Sequence, residues 1–204
     1  LREEKAGLQI TDWRLRLGND WTLPATELVR AQPKGTTILI VDGGRRSATN
    51  EVERLLAAGQ RVVATDPFYF GEGKPAERDY LWALMLATIG DRALGLQAGE
   101  VGALARWLNA KHPDAPVTVC AVGPRASTVA LVVVGLEEQA IGRLELHGAF
   151  RSLKEVLTQN HKFEEMPELF CFGLLKAFDL EQLRALVAPR RLVAGEAATA
   201  AHGE

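Results

Sequence analysis

An arginine sits where a nucleophile would be expected. Val122-Gly123-Pro124-Arg125-Ala126-Ser127 follows a short apolar run and precedes a helical stretch. A strand-to-helix turn of this kind lifts one side chain above a sheet, in the pattern G-x-S-x-G with serine at its centre. Gly123 fills the first position, Arg125 the central one, and Ser127 stands where the last glycine belongs. A serine there would attack an acyl carbon with help from a neighbouring base. A guanidinium has a pKa above about 12, stays protonated and has no lone pair to donate. It also adds charge to a helix N-terminus that already carries roughly half an elementary positive charge. Arg125 is therefore not expected to catalyse acyl transfer. Two readings remain for it: a side chain tied to Asp66, Glu72 or Glu145, or a grip on an anionic ligand beside the helix N-terminus.

The other reactive side chains have bland readings beside their chemical ones. Ser127 at a helix start is read as a capping hydroxyl, and is the least unlikely nucleophile if one exists. Cys120 lies inside an apolar run, and Cys171 lies between Phe170 and Phe172; both read as packing residues. His147 follows a strand and is read as structural, with a site role as the alternative. His112 precedes Pro113 and reads as a helix C-cap. His161 has Glu164 and Glu165 nearby, but the segment is polar and reads as a solvated loop, so no metal is expected. Asp42-Gly43-Gly44 lacks the G-x-G-x-x-G frame of a dinucleotide site, and no cofactor is expected. Phe68, Tyr69 and Phe70 either pack over the sheet edge or offer a stacking surface to a carbohydrate.

The elements that must position these residues follow from the apolar pattern. Trp13 to Leu17 alternates apolar residues with arginine, the period of a strand buried on one face. Gly18-Asn19-Asp20 then turns the chain into Trp21 and Leu23, where Pro24 interrupts; a second stretch lies near Glu27-Leu28-Val29. Beyond residue 35 the runs stop alternating: Ile38–Val41, Arg61–Asp66, Val117–Val122, Ile141–Leu146 and Arg191–Ala194. Such runs fit strands buried on both faces of a parallel sheet. Helices are expected over Thr49–Ala58, Asp91–Ala110, Ala126–Gln139 and Phe178–Val187, the third being the most buried. The expected fold is an α/β three-layer sandwich, one domain over residues 1–194 with antiparallel strands in 1–35 and a flexible tail in 195–204. Ligands in such sheets bind beyond the carboxyl ends of the strands.

Composition removes some function classes. Of 204 residues, 24 are Lys or Arg and 26 Asp or Glu, a net charge of −2, which disfavours a sequence-independent nucleic-acid binder. No apolar run approaches the roughly 20 residues of a membrane span. Two cysteines cannot form a disulfide framework. The chain opens at Leu1 with no signal-peptide pattern, so it reads as a processed product or a piece of a longer polypeptide, and its compartment stays open.

Three stretches carry a family resemblance: Asp66-Pro67-Phe68-Tyr69-Phe70-Gly71-Glu72, Gly90-Asp91-Arg92-Ala93-Leu94-Gly95-Leu96-Gln97, and Leu186-Val187-Ala188-Pro189-Arg190-Arg191-Leu192. From about Trp21 to about Ala194 the chain resembles α/β-hydrolases of the acetyl xylan esterase and dipeptidyl-peptidase-like branch. The resemblance implies a mixed, mostly parallel sheet with helices on both faces. It also implies a catalytic serine at the elbow, an acid after the late strand and a histidine near the C-terminus. Arg125 stands at the serine position and Ala198 at the acid position, with Glu196 out of register and His202 too close to the strand. An oxyanion hole built from Ala126 N–H and the Gly43-Gly44 loop would survive and could hold an anion beside Arg125 and His147. The expectation is an esterase-like domain without ester hydrolysis, acting as a structural or interaction module beside a companion esterase domain or a second copy. The alternatives are an active hydrolase of acetylated carbohydrates and a small-anion binder. A sheet that ends with the late strand exposes an edge, so self-association is also expected.

Overall fold

A computed structural model describes residues 2–18, 21–75, 77–113, 116–188 and 190–195. Among these residues eight strands form one sheet: β1 (Arg2–Lys5), β2 (Leu8–Leu17), β3 (Trp21–Val29), β4 (Gly35–Val41), β5 (Gln60–Thr65), β6 (Val117–Val122), β7 (Ile141–His147) and β8 (Arg191–Gly195). Their spatial order is β1-β2-β3-β5-β4-β6-β7-β8. The contacts among β1, β2, β3 and β5 are antiparallel, and those from β5 through β8 are parallel. This is the mixed, mostly parallel sheet anticipated from the unalternating runs.

Among the described residues, seven α-helices accompany it: α1 (Thr49–Ala57), α2 (Asp79–Thr88), α3 (Ala93–Lys111), α4 (Pro124–Leu136), α5 (Glu155–Thr158), α6 (Leu174–Ala177) and α7 (Leu180–Val187). Alternate residues of β4 and β6 serve two cores. Ile38, Ile40, Val119 and Ala121 pack with α3 and α4, whereas Leu39 and Cys120 pack with Leu55 and Leu56 of α1. Period-two side chains point to opposite faces, so helices cover both sides of the sheet. Eight of the thirteen α4 residues are buried, against ten of nineteen in α3. Full burial of Leu131 alone contributes about 1.5–3 kcal/mol. The all-apolar run Val129–Val134 is thus the axle of the larger core, and it fixes where the preceding turn must sit.

Four details differ from the sequence reading. Pro24 does not interrupt β3; it pairs in register with Arg14. Its carbonyl accepts from Asp66 N at 3.2 Å and from Thr65 Oγ1 at 2.9 Å, so its absent N–H would face the end of β5, where the ladder has run out. The N-terminal antiparallel group has a third strand, β1, whose four charged residues are all exposed. Helix α2 was not foreseen. Gly195 closes β8 opposite His147 and does not begin a tail. The Asn19-Asp20 turn, Pro189 and the positions Glu196, Ala198 and His202 lie outside the described residues.

Candidate active site

The parallel strands β4, β5, β6 and β7 end on one side of the sheet, and the candidate residues sit there. β6 passes into α4 through Gly123, whose φ of 101° is open to glycine far more readily than to other residues. Pro124 occupies the first turn of α4, where its missing N–H leaves nothing unpaired. The left-handed residue at the strand-to-helix turn is therefore Gly123, and Arg125 lies two residues later, inside the helix. A Cβ on Gly123 would come within 2.3 Å of Asp42 Cγ. No hydroxyl is carried by Gly123, Pro124 or Arg125.

The first turn of α4 offers backbone donors, and a carboxylate takes two of them. Asp42, at the end of β4, accepts from Ala126 N at 2.7 Å and from Arg125 N at 3.2 Å. It satisfies the orphan N–H groups and complements the positive end of the helix, as a bound anion would. Burial pushes its pKa up to about 6, against the opposing pull of these two N–H groups and of the Arg125 guanidinium; the Glu168 charge pushes it up further.

Arg125 has a partner that the sequence reading did not include. Its Nε and Nη2 form a two-pronged ion pair with Glu168, the second prong at 3.1 Å. Nη2 also donates to the Tyr69 carbonyl at 3.3 Å, and the guanidinium lies 4.7 Å from the centre of the Phe70 ring. The Glu168 side chain is fully buried, in the short 3-10 turn Pro167–Leu169. The only hint in the sequence was one acid within the otherwise apolar Met166-Pro167-Glu168-Leu169-Phe170. The three acids proposed from sequence are engaged elsewhere. Asp66 pairs with Arg45, Glu72 with Arg45 and Arg46, and Glu145 with Arg54, Arg143 and His147.

The Gly43-Gly44 loop is likewise occupied by structural ties. Gly44 N donates to Val41 O, and buried Asp66 accepts from Arg45 N at 2.7 Å and Glu72 N at 3.0 Å. Asp66 thus staples this loop to the 66–73 segment. Gly71 is required there: its φ is +41°, and a Cβ would meet Asp66 Oδ2 at 2.4 Å. Phe68, Tyr69 and Phe70 are all buried, which favours packing over a ligand-stacking surface. Tyr69 is held at φ 71°, a conformation that costs a non-glycine residue about 1–3 kcal/mol and that the surrounding packing imposes.

The 66–73 segment has a second clamp that sequence reasoning missed. Glu100 Oε2 accepts from Phe68 N at 2.7 Å, and Gln97 Nε2 donates to Phe68 O at 2.8 Å. They lie one turn apart on α3. Burial raises the Glu100 pKa to about 7 from 4.5, so ionising it costs the native state. Its contribution to stability is full below about pH 4.5 and is lost as pH rises towards 7. Glu100→Gln keeps an acceptor oxygen and removes the charge. At pH 8 this variant is expected to be more stable than wild type by on the order of 2 kcal/mol, a gap that closes at pH 4.5. Urea midpoints at the two pH values check it.

Ser127 and His147 do not meet at the turn. Ser127 is buried, and its Oγ, expected to cap the helix, has no hydrogen-bond partner among the described residues, because α4 is capped by Asp42 instead. The His147 ring bonds Glu145 Oε1 at 2.8 Å, and its nitrogen lies in a group with Glu51 and Cys120 whose donor atoms are within 4.8 Å of one another. That trio has the donor types of a metal site, but a cation already sits among them. Arg54 lies 2.7 Å from Glu51, 2.6 Å from Glu145 and 3.7 Å from the Cys120 sulfur. Burial also pushes the Cys120 thiol up to about 12, which keeps it protonated and a poor ligand. His161 faces Glu165 and Gln159 on the surface.

Sheet order, the β6–α4 turn and the helices on both faces together define the α/β-hydrolase fold, and comparison with solved structures agrees. A Bacteroides fragilis protein assigned as an acetyl xylan esterase superposes with a TM-score of 0.77 over 97% of this chain at 17% identity. This chain spans 61% of that protein's length. A thermostable carboxyl esterase of Bacillus coagulans (TM-score 0.54, 15% identity) matches 78% of this chain and 55% of its own. A dienelactone hydrolase of Anabaena variabilis (0.53, 13% identity) matches 92% and 86%. At these identities the likeness is one of fold. No family model and no curated protein sequence matches the chain.

Proposed function

We propose that this chain is an esterase-fold domain that does not turn over esters and serves as an interaction module, beside an active esterase domain or a second copy of itself. One observation carries the reading. At the turn where this fold presents its nucleophile, Gly123, Pro124 and Arg125 bring no hydroxyl, and the donors around them are spent on Asp42, Glu168 and Tyr69 O. Acyl transfer needs an activated oxygen at that apex and free N–H groups to receive the oxyanion. Binding of a small anion by Arg125 is disfavoured for the same reason, because Glu168 already answers the guanidinium.

The test is turnover of a chromogenic acetate ester and of acetylated xylo-oligosaccharides. Release no faster than with the heat-denatured chain is expected. Turnover that is lost in Ser127→Ala would replace this reading with that of a working carbohydrate esterase.

A further inference from the structure

At the end of the sheet opposite the β6–α4 turn, where β5 begins and α3 ends, lies a cavity of about 290 Å³. Arg2, Trp13, Glu27, Arg61, Lys111 and His112 contribute to its wall. Thr11 pairs with Glu27 in the β2–β3 ladder, so Trp13, two residues on, shares the face of Glu27. Glu27 organises the wall from there. Its Oε2 accepts from Trp13 Nε1 at 2.9 Å and lies 3.5 Å from Lys111 Nζ, and its Oε1 lies 3.0 Å from Arg61 Nε. The Lys111 ammonium sits 4.6 Å from the centre of Trp13 and 4.8 Å from that of Trp107, two rings packed edge to face. The indoles hold this cation in place and leave it its full charge.

The cations of the wall outnumber what Glu27 can answer. Among its described residues Arg2, Arg61 and Lys111 face one carboxylate, which leaves two positive charges. The end of α3 offsets roughly half a charge at most. More than one positive charge therefore remains, which a monocarboxylate would not balance and a phosphate dianion would. Arg61 is also short of hydrogen bonds. Its Nε is buried and, although close to Glu27, is not aligned for a hydrogen bond; the guanidinium makes none among the described residues. A planar fork of N–H groups, 15% exposed and beside a cavity, is the donor arrangement that phosphate oxygens accept from in pairs.

We infer that this cavity is a binding site for a phosphoryl dianion, as free phosphate or as the phosphate of a small monoester. Arg61 and Lys111 hold it, with exposed Arg2 at the rim. Glu27 is a positioning residue that sets the spacing of the two inner cations. The site is separate from the β6–α4 turn, and the inactive-fold reading neither needs it nor falls with it.

Two-dimensional NMR of the isotope-labelled chain, titrated with inorganic phosphate, glycerol phosphate and acetate at constant ionic strength, tests it. The indole N–H peaks of Trp13 and Trp107, assigned from Trp13→Phe and Trp107→Phe, are expected to shift saturably with both phosphates while those of Trp21 and Trp82 stay in place. The expected Kd is on the order of 1 mM, with acetate at least about tenfold weaker. Lys111→Gln is expected to weaken phosphate about tenfold, and Lys111→Arg to retain it. Arg61→Lys keeps the charge beside Glu27, loses the fork, and is expected to weaken binding by a similar factor. The spectra themselves report that each variant is folded. Tighter binding of glycerol phosphate identifies the monoester as the ligand, and equal affinity identifies free phosphate. Indole peaks that do not move with either phosphate overturn the inference. So does an affinity unchanged in Lys111→Gln, or acetate bound as tightly as phosphate.

Discussion

Arg125→Ala destabilises the domain by on the order of 3–5 kcal/mol, the cost of leaving a buried charge without its partner. The Glu168 side chain is fully buried, in a turn whose Met166, Pro167 and Leu169 are buried with it. Truncating the arginine removes both prongs of the pair, the bond to the Tyr69 carbonyl and the stacking on Phe70. If Arg125 served only a ligand, the same change would leave the empty protein's stability nearly unaltered. The discriminating comparison is a double-mutant cycle. Replacing both charges, as in Arg125→Met/Glu168→Gln, is expected to cost far less than the single change, because no buried charge is then abandoned. Guanidinium denaturation of the four proteins supplies the numbers.

Gly123→Ala is expected to cost at least about 3 kcal/mol, from two sources that add. The backbone at φ 101° strains any residue with a Cβ, and that Cβ would sit 2.3 Å from the Asp42 carboxyl carbon. Asp42 must then move, which frees the N–H groups of Arg125 and Ala126. Paired with Asp42→Ala, the same substitution is expected to cost clearly less than the sum of the two single changes, since the steric part disappears. Thermal unfolding of the three variants checks it. A serine at position 123 would put its side chain into space that the Asp42 carboxylate fills.

Much of the framework was legible because period decides it. The unalternating runs Ile38–Val41 and Val117–Val122 are strands that serve a core on each face, and Val129–Val134 is a helix buried on almost all sides. Pro24 misled because the sequence shows the missing donor but not that β5 ends opposite it. Helix α2 escaped because neither a helical nor a strand period marks a segment that is apolar at nearly every position. At the site, the lack of a hydroxyl on Gly123, Pro124 and Arg125 was legible from residue type alone. The partners were not: Glu168 lies 43 positions from Arg125, and Asp42 lies 83. Nothing local distinguishes those two acids from Asp66, Glu72 or Glu145. Only the sheet, by bringing the ends of β4 and β6 side by side, selects Asp42 for the helix N-terminus.

Whether any side chain in the native protein can be acylated or phosphonylated is decided by intact-mass spectrometry after exposure to a fluorophosphonate, which traps activated serines. The unshifted mass of the chain is expected after prolonged incubation with excess probe. One stoichiometric adduct, mapped by peptide sequencing to Ser127 or to another hydroxyl beside the β6–α4 turn and abolished by prior unfolding, would contradict the account at its root.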